Sequence, residues 1–116
     1  MKAVFLDRDG VINIDAPGWV TRPEDLRLVP GAAEAIVRLR TAGWIPVVIT
    51  NQSGIGRGVF TEDDLAAVHG RLLELLRERG ATLAGIYYCP HAPSENCDCR
   101  KPAPGLVTRA AQEQGI

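Results

Sequence analysis

The sequence of 116 residues predicts an α/β fold in which helices cover a parallel sheet. Short apolar runs over residues 3–6, 45–49 and 85–88 are typical of strands buried inside a domain. Helical patterns alternate with these runs along the chain, which is the order found in parallel sheets. Polar residues follow the apolar runs, and folds of this class bind ligands at the carboxyl ends of their strands.

The first half of the chain contains two predicted strands and one helix. Ala3–Leu6 is apolar without alternation, so we expect a strand that is buried on both faces. Residues 7–30 are rich in turn formers and predict a long loop with little regular structure. A helix begins after Pro30 and stops at Gly43, and the β-branched run Ile45–Ile49 follows as the second strand.

The second half begins with a glycine-rich loop over residues 51–58. Thr61 is suited to cap the next helix, because its hydroxyl can accept from a free backbone N–H. Gly80 ends this helix, whose apolar stripe is formed by Leu65, Val68, Leu72 and Leu76. His69 lies on the same helix, and we expect it in a surface or packing role away from the strand ends. Gly85–Tyr88 follows as the third strand, and a last helix runs from about residue 104 to 114.

Composition and charge narrow the class of protein. Hydrophobic residues make up 46% of the chain, and the formal net charge is −1. Mixed charges of this kind argue against binding to nucleic acid or to a membrane surface by bulk charge. No apolar run reaches the roughly 18 residues of a membrane span, and the apolar run after Lys2 is too short for a signal peptide. We therefore expect a single domain over residues 1–116, which acts as a cytoplasmic monomer on a small molecule.

Two carboxylates stand directly after the first strand. Asp7 and Asp9 are separated by one residue, so their charges repel unless a cation lies beside them. Proteins bind Mg²⁺ with one or two carboxylates together with water and a substrate phosphate. One carboxylate can attack phosphorus, and the other can give a proton to the leaving alcohol. A solvated turn without chemistry is the alternative interpretation of such a pair.

The segment Phe5–Asn13 (FLDRDGVIN) resembles the first motif of phosphatases of the haloacid dehalogenase superfamily. It is most similar to the branch that contains heptose bisphosphate phosphatases and histidinol-phosphate phosphatases. The resemblance implies that Asp7 is the nucleophile and that Asp9 is the general acid/base. It also implies Mg²⁺ as the catalytic cofactor, held by Asp7 and the backbone of Asp9 together with water and substrate.

Two further motifs follow in the order expected for this superfamily. Thr50 ends the second strand, where a hydroxyl and backbone N–H groups can bind phosphoryl oxygens, and it matches the second motif. The run Thr50–Gly58 (TNQSGIGRG) resembles the heptose bisphosphate branch. Lys101 matches the third motif, whose positive charge stabilises the phosphoryl group. Contacts with substrate are expected from Asn51, Gln52, Ser53, Arg57 and Arg100.

Three cysteines and one histidine lie within a short loop, at Cys89, His91, Cys97 and Cys99. Three thiolates and an imidazole would complete a tetrahedral zinc shell without an open position, which is typical of a structural site. Three reduced cysteines beside an incidental histidine are the alternative. This branch of the superfamily carries such a loop just before an Arg-Lys-Pro segment. The resemblance therefore implies a structural Zn²⁺ that holds Arg100 and Lys101 near the active site.

The resemblance extends from Val4 to about Gly105 and implies a phosphoric monoester hydrolase. The implied substrate is D-glycero-D-manno-heptose 1,7-bisphosphate, an intermediate of heptose biosynthesis, which would lose its 7-phosphate through an aspartyl phosphate. Histidinol phosphate is the alternative substrate. An inactive remnant that keeps only the zinc loop is a further alternative.

The resemblance also predicts the architecture, a three-layer Rossmann-like sheet that is incomplete at the C-terminus. Members of the superfamily carry a fourth motif, an acidic cluster after a further strand, which supplies another Mg²⁺ ligand. No such cluster follows the last predicted helix before Ile116. We therefore expect a C-terminally truncated chain that binds Mg²⁺ weakly and whose first strand has an unpaired side.

Overall fold

The computed structural model describes residues 2–15 and 18–116, so Ala16 and Pro17 of the predicted long loop lie outside the described residues. Three parallel strands form one sheet in the order β1-β2-β3, with bounds Lys2–Leu6, Trp44–Asn51 and Gly85–Cys89. Three helices accompany them, α1 (Ala32–Thr41), α2 (Glu62–Glu78) and α3 (Gly105–Gln114). The predicted order of strands and helices is confirmed, and single 3-10 turns at Pro23–Asp25 and Pro93–Glu95 interrupt the loops.

Helices cover both faces of the sheet, which gives the predicted three layers. Successive side chains of a strand point to opposite faces. On the central strand β2, Val48 packs in the cluster that contains the buried side chains of α1 and α2. Its neighbours Val47 and Ile49 pack in the second cluster, with Leu106 and Ala110 of α3. The core therefore consists of two apolar layers separated by β2.

Strand register brings the functional segments to one edge of the sheet. Leu6, the last residue of β1, pairs with Val48, and Asn51, the last residue of β2, pairs with Cys89 of β3. Because the strands are parallel, the loops that follow all three of them leave at the same edge. The carboxylate pair, the glycine-rich loop and the cysteine loop thus share one end of the molecule.

Strand β1 differs from the expectation of burial on both faces. Its first residue is exposed, and the other four are half-buried. Within the described residues β1 pairs with β2 alone, so its second edge is open, as expected from the resemblance. An edge strand keeps part of each side chain in contact with solvent, which accounts for the difference.

Helix α2 begins and ends at the predicted signals. The Thr61 hydroxyl accepts from the backbone N–H of Asp64 at 3.1 Å, and the Asp64 carboxylate accepts from the backbone N–H of Thr61 at 2.9 Å. This reciprocal capping box satisfies two backbone donors at the helix start. Gly80 follows the helix with a φ of 77°, a left-handed conformation that glycine adopts without strain. Among the helices of the described residues, none combines the length and apolarity needed to cross a membrane.

Candidate functional site

Strand alternation sends the two residues after β1 in opposite directions. Phe5 packs against the α3-side cluster, and Leu6 packs against the cluster of α1 and α2. The same alternation carries Arg8 to the side of Leu6, where its side chain is 1% exposed. The side chain of Asp7 is 55% exposed. The predicted nucleophile is therefore open to solvent, while its neighbour is buried.

Lys101 reaches Asp7 from the far end of the cysteine loop. Its Nζ lies 2.5 Å from Asp7 Oδ1 and donates to the carbonyl of Ile49 at 3.0 Å. The side chain of Asn51 holds the lysine backbone, because its Oδ1 accepts from the Lys101 N–H at 2.9 Å and its Nδ2 donates to the Lys101 carbonyl at 3.3 Å. The structure thus brings together the first and third motifs, and the amide of Asn51, for which a substrate contact was predicted, is engaged with Lys101.

Asp9 accepts hydrogen bonds on both carboxylate oxygens. Its Oδ1 accepts from Arg8 Nε at 3.1 Å, from Arg8 Nη2 at 2.7 Å and from Asn13 Nδ2 at 3.1 Å. Its Oδ2 accepts from Gln52 Nε2 at 3.1 Å. Burial raises the pKa of Asp9, but the Arg8 guanidinium and the hydrogen bonds outweigh burial and lower the pKa below its ordinary value. The free site therefore holds Asp9 as a carboxylate in one fixed orientation.

Gln52 lies beneath Asp9 and Thr50 rather than at the surface of the site. It is fully buried, and its Nε2 also donates to Thr50 Oγ1 at 3.0 Å. Its Nε2 therefore holds Asp9 and Thr50 from within the protein, and the substrate contact of Gln52 stays a prediction. Since Thr50 Oγ1 accepts from Gln52, the Thr50 hydroxyl hydrogen stays free to donate.

The glycine-rich loop is fixed against the cysteine loop. The backbone N–H of Gly56 donates to the carbonyl of Pro90 at 2.8 Å. A Cβ at Gly56 would come within 2.5 Å of the backbone nitrogen of Ala92, so only glycine allows this approach. Arg57 is exposed on the same loop, and its N–H donates to the carbonyl of half-buried Ser53 at 3.0 Å.

The cysteine loop forms a compact set of metal ligands. The ligand atoms of Cys89, His91, Cys97 and Cys99 all lie within 4.8 Å of one another. Burial and then the neighbouring thiols raise the pKa of Cys99 to about 12, so a cation is needed to keep three thiolates together. Three cysteine sulfurs and one histidine nitrogen fit a metal with tetrahedral coordination, such as zinc. The carbonyl of Asp98 accepts from Gly105 N at 2.9 Å, which ties this loop to the start of α3.

His69 differs from the sequence expectation of a surface or packing residue away from the strand ends. It is 9% exposed, and its Nε2 lies 3.1 Å from Arg8 Nη1. Burial and the Arg8 charge lower its pKa to about 4. Spacing in the sequence places each residue on a buried face, since His69 follows Leu65 by one helical turn and Arg8 follows Leu6 by one strand repeat. What the sequence does not reveal is that these two faces meet.

The chain is similar over its whole length to proteins that are named heptose bisphosphate phosphatases. It is 47% identical to the D-glycero-beta-D-manno-heptose-1,7-bisphosphate 7-phosphatase of Pseudomonas putida, over all of this chain and 66% of that one. It is 42% identical to a Thermoplasma volcanium protein named probable D-glycero-D-manno-heptose-1,7-bisphosphate 7-phosphatase, over all of this chain and 79% of that one. No protein-family model matches it.

A solved structure shows the same arrangement of elements. The crystal structure of D,D-heptose 1,7-bisphosphate phosphatase from B. bronchiseptica, complexed with magnesium and phosphate, superposes with a TM-score of 0.92 at 40% identity. The match covers all of this chain and 65% of the crystallised one. The chain therefore spans about two thirds of the length of the Pseudomonas putida and B. bronchiseptica proteins and 79% of the Thermoplasma volcanium protein.

Proposed function

We propose that this chain carries the phosphoryl-transfer site of a sugar phosphatase. It belongs to the heptose-1,7-bisphosphate 7-phosphatase family within the haloacid dehalogenase superfamily. The proposed reaction removes the 7-phosphate of D-glycero-D-manno-heptose 1,7-bisphosphate. The names of its relatives support the substrate. The observation that carries the proposal is the contact of Lys101 with the exposed carboxylate of Asp7, beside a second carboxylate in a different environment.

The two carboxylates take different steps of the reaction. The Asp7 carboxylate attacks phosphorus, the P–O bond to the sugar breaks, and protonated Asp9 gives its proton to the departing alkoxide. Asp9 then takes a proton from water as this water attacks the aspartyl phosphate, which releases phosphate and restores Asp7. The free site favours ionised Asp9, and the negative charge of a bound phosphate raises its pKa toward the protonated form that the first step needs.

The chain offers two groups for the phosphoryl oxygens. The ammonium of Lys101 supplies a positive charge beside Asp7, and the Thr50 hydroxyl can donate from the end of β2. Arg57 and Arg100 are the cations proposed for the rest of the substrate, because both lie on the loops that border the site.

The residues around Asp7 fit a magnesium ion. Lys101 contacts Oδ1, and the half-exposed Asp7 carboxylate has room for a cation on its open side. The carboxylate of Asp9 already accepts four hydrogen bonds, so this residue would contribute its backbone carbonyl instead. Magnesium at this position would neutralise charge on the transferring phosphoryl group. The cysteine cluster is proposed to bind zinc as a structural ion, because four protein ligands leave no open position.

Hydrolysis assays with Mg²⁺ test the proposal. We expect phosphate release from the heptose bisphosphate, with histidinol phosphate as the competing substrate in a parallel assay. Asp7→Asn is expected to abolish turnover. Asp15→Asn, which changes an exposed carboxylate of the same loop, is the matched control and should keep it. Equal turnover by the Asp7→Asn protein would contradict the mechanism, and faster hydrolysis of histidinol phosphate would contradict the substrate.

A further inference from the structure

The guanidinium of Arg8 is enclosed between two partners at the end of β1. Its Nε and Nη2 donate to one oxygen of Asp9, while Nη1 faces the ring of His69 at 3.1 Å. The side chain is 1% exposed, so each N–H that lacks a partner in this place would carry a desolvation penalty. His69 therefore supplies the hydrogen-bond partner of Nη1, the third nitrogen of the buried guanidinium.

The contact determines the protonation state of His69. A guanidinium has only donors, so Nε2 of His69 must be the acceptor and cannot carry a proton. The imidazole is then neutral, with its hydrogen on Nδ1. Burial and the charge of Arg8 lower its pKa to about 4, which agrees with this state at neutral pH. Tyr88 contacts the ring edge-on at a centroid distance of 6.2 Å, and its hydroxyl donates to Glu62 at 2.7 Å.

A neutral acceptor serves Asp9 better than a charged one. A carboxylate in place of His69 would compete with Asp9 for the guanidinium. A cation in the same place would repel the guanidinium. The guanidinium is planar and rigid, so a partner at Nη1 fixes the plane in which Nε and Nη2 point at Asp9. The helix position of His69 thereby controls the orientation of the proposed acid/base.

We propose that His69 is a positioning residue of the phosphatase site, which acts as a neutral hydrogen-bond acceptor for Arg8 and so orients the carboxylate of Asp9. The inference rests on the proposed function for its catalytic consequence. The contact itself is testable without any turnover.

NMR of the 116-residue chain tests the contact. We expect the His69 ¹⁵N shifts to show a protonated Nδ1 and an unprotonated Nε2 at neutral pH. We also expect slow rotation of the Arg8 guanidinium about its Nε–Cζ bond. A protonated Nε2, or free rotation in the unchanged protein, would overturn the inference.

Two substitutions separate positioning from packing. His69→Gln places an amide oxygen where Nε2 lies and should keep slow rotation. His69→Leu has no acceptor and should speed the rotation roughly tenfold, the factor that corresponds to the loss of about one hydrogen bond. Val68→Ala is the matched control, because Val68 is a fully buried neighbour on α2 that packs in the core. It should lower stability and leave the Arg8 signal unchanged.

Steady-state kinetics then test the consequence for catalysis. His69→Leu is expected to lower kcat about 10- to 100-fold with KM within about twofold, because misplacement of a catalytic group affects turnover rather than binding. His69→Gln is expected to restore most of kcat. Unchanged kcat in a folded His69→Leu protein overturns the positioning role and leaves packing as the function of His69. Failure of the unchanged chain to hydrolyse any phosphate would instead count against the proposed function, while the NMR result still decides the contact.

Discussion

At the scale of single residues, two carboxylates two positions apart occupy different environments. The side chain of Asp7 is 55% exposed, and that of Asp9 is 31% exposed and held by Arg8, Asn13 and Gln52. Side-chain alternation at the end of β1 buries Arg8 and leaves Asp7 on the open side. It does not separate Asp9 from Asp7, and the hydrogen bonds to Asp9 make the difference between the two carboxylates. A nucleophile needs access to phosphorus, and an acid/base needs a fixed position, so each environment suits its proposed role.

Removal of the lysine charge should impair the site strongly. For Lys101→Met we expect a fall in kcat/KM of about 10²- to 10³-fold, because the group that stabilises developing phosphoryl charge beside Asp7 is lost. Phosphate release from the heptose bisphosphate is the measurement. Lys2→Met, which removes an exposed charge at the start of β1, is the control and should behave like the unchanged protein.

The buried histidine should make stability depend on pH. The pKa of His69 is lowered from 6.5 to about 4, so between these values the unfolded chain binds a proton that the folded chain does not. The free energy of unfolding is therefore highest above about pH 6.5 and decreases as the pH falls toward 4. One proton contributes at most about 1.4 kcal/mol per pH unit.

Urea unfolding between pH 4 and 7 measures this dependence. In the His69→Gln protein we expect a flatter profile over the same window, because the titrating group is gone. The difference between the two profiles isolates His69 from acid effects that both proteins share. Parallel profiles would contradict the assigned pKa shift.

At the scale of elements, α2 contains both a capped first turn and the histidine that contacts the proposed active site. The capping box at Thr61 fixes the first turn, and His69 lies two turns later on the buried face. The cap follows from a local Thr-x-x-Asp pattern, whereas His69 stands beside the predicted apolar stripe and its burial was not predicted. The contact with Arg8 depends on how α2 packs on the sheet and cannot be derived from either pattern.

Loss of the cap should destabilise the fold. Thr61→Ala is expected to lower the free energy of unfolding by about 0.5–2 kcal/mol, because the N–H of Asp64 loses its acceptor. Thr82→Ala, at an exposed loop position, is the control and should change stability by less than about 0.5 kcal/mol. Equilibrium denaturation of both proteins is the measurement, and equal midpoints would contradict the role of the cap.

At the scale of the whole molecule, the cysteine loop links β3 to α3 and carries Lys101 to the end of β2. The four ligand atoms converge before Arg100, and Asn51 then holds the backbone of Lys101. A metal bound to the four ligands would fix the long connection between β3 and α3. The position of the lysine beside Asp7 therefore depends on the cysteine loop as well as on the sheet.

Removal of the loop metal should loosen the site without unfolding the sheet. We expect one zinc per chain by elemental analysis, and its removal by a chelator should lower Tm and the affinity for inorganic phosphate together. Cys97→Ser should have the same effect, whereas Ser94→Ala, on the same loop, should not. A metal-free protein with unchanged Tm and phosphate affinity would show that the loop is fixed without an ion.

The sequence by itself determined the fold class, the bounds of most elements and the residues of the motifs. Those features depend on local periods of two and 3.6 residues, on caps, and on motif spacing, all of which are read along the chain. It did not predict the half-burial of β1, because burial of a strand depends on which neighbours pair with it.

Only the tertiary structure decided which side chains meet. Arg8 contacts His69 across 61 positions, and Asn51 holds Lys101 across 50. The tertiary structure also decided that Gln52 donates a hydrogen bond to the carboxylate of Asp9. Periodicity assigns Arg8 and His69 to faces, but the packing of α2 and of the cysteine loop against the sheet sets the distances between the residues that meet. The physical reason is that long-range contacts follow from the docking of whole elements, which no local pattern specifies.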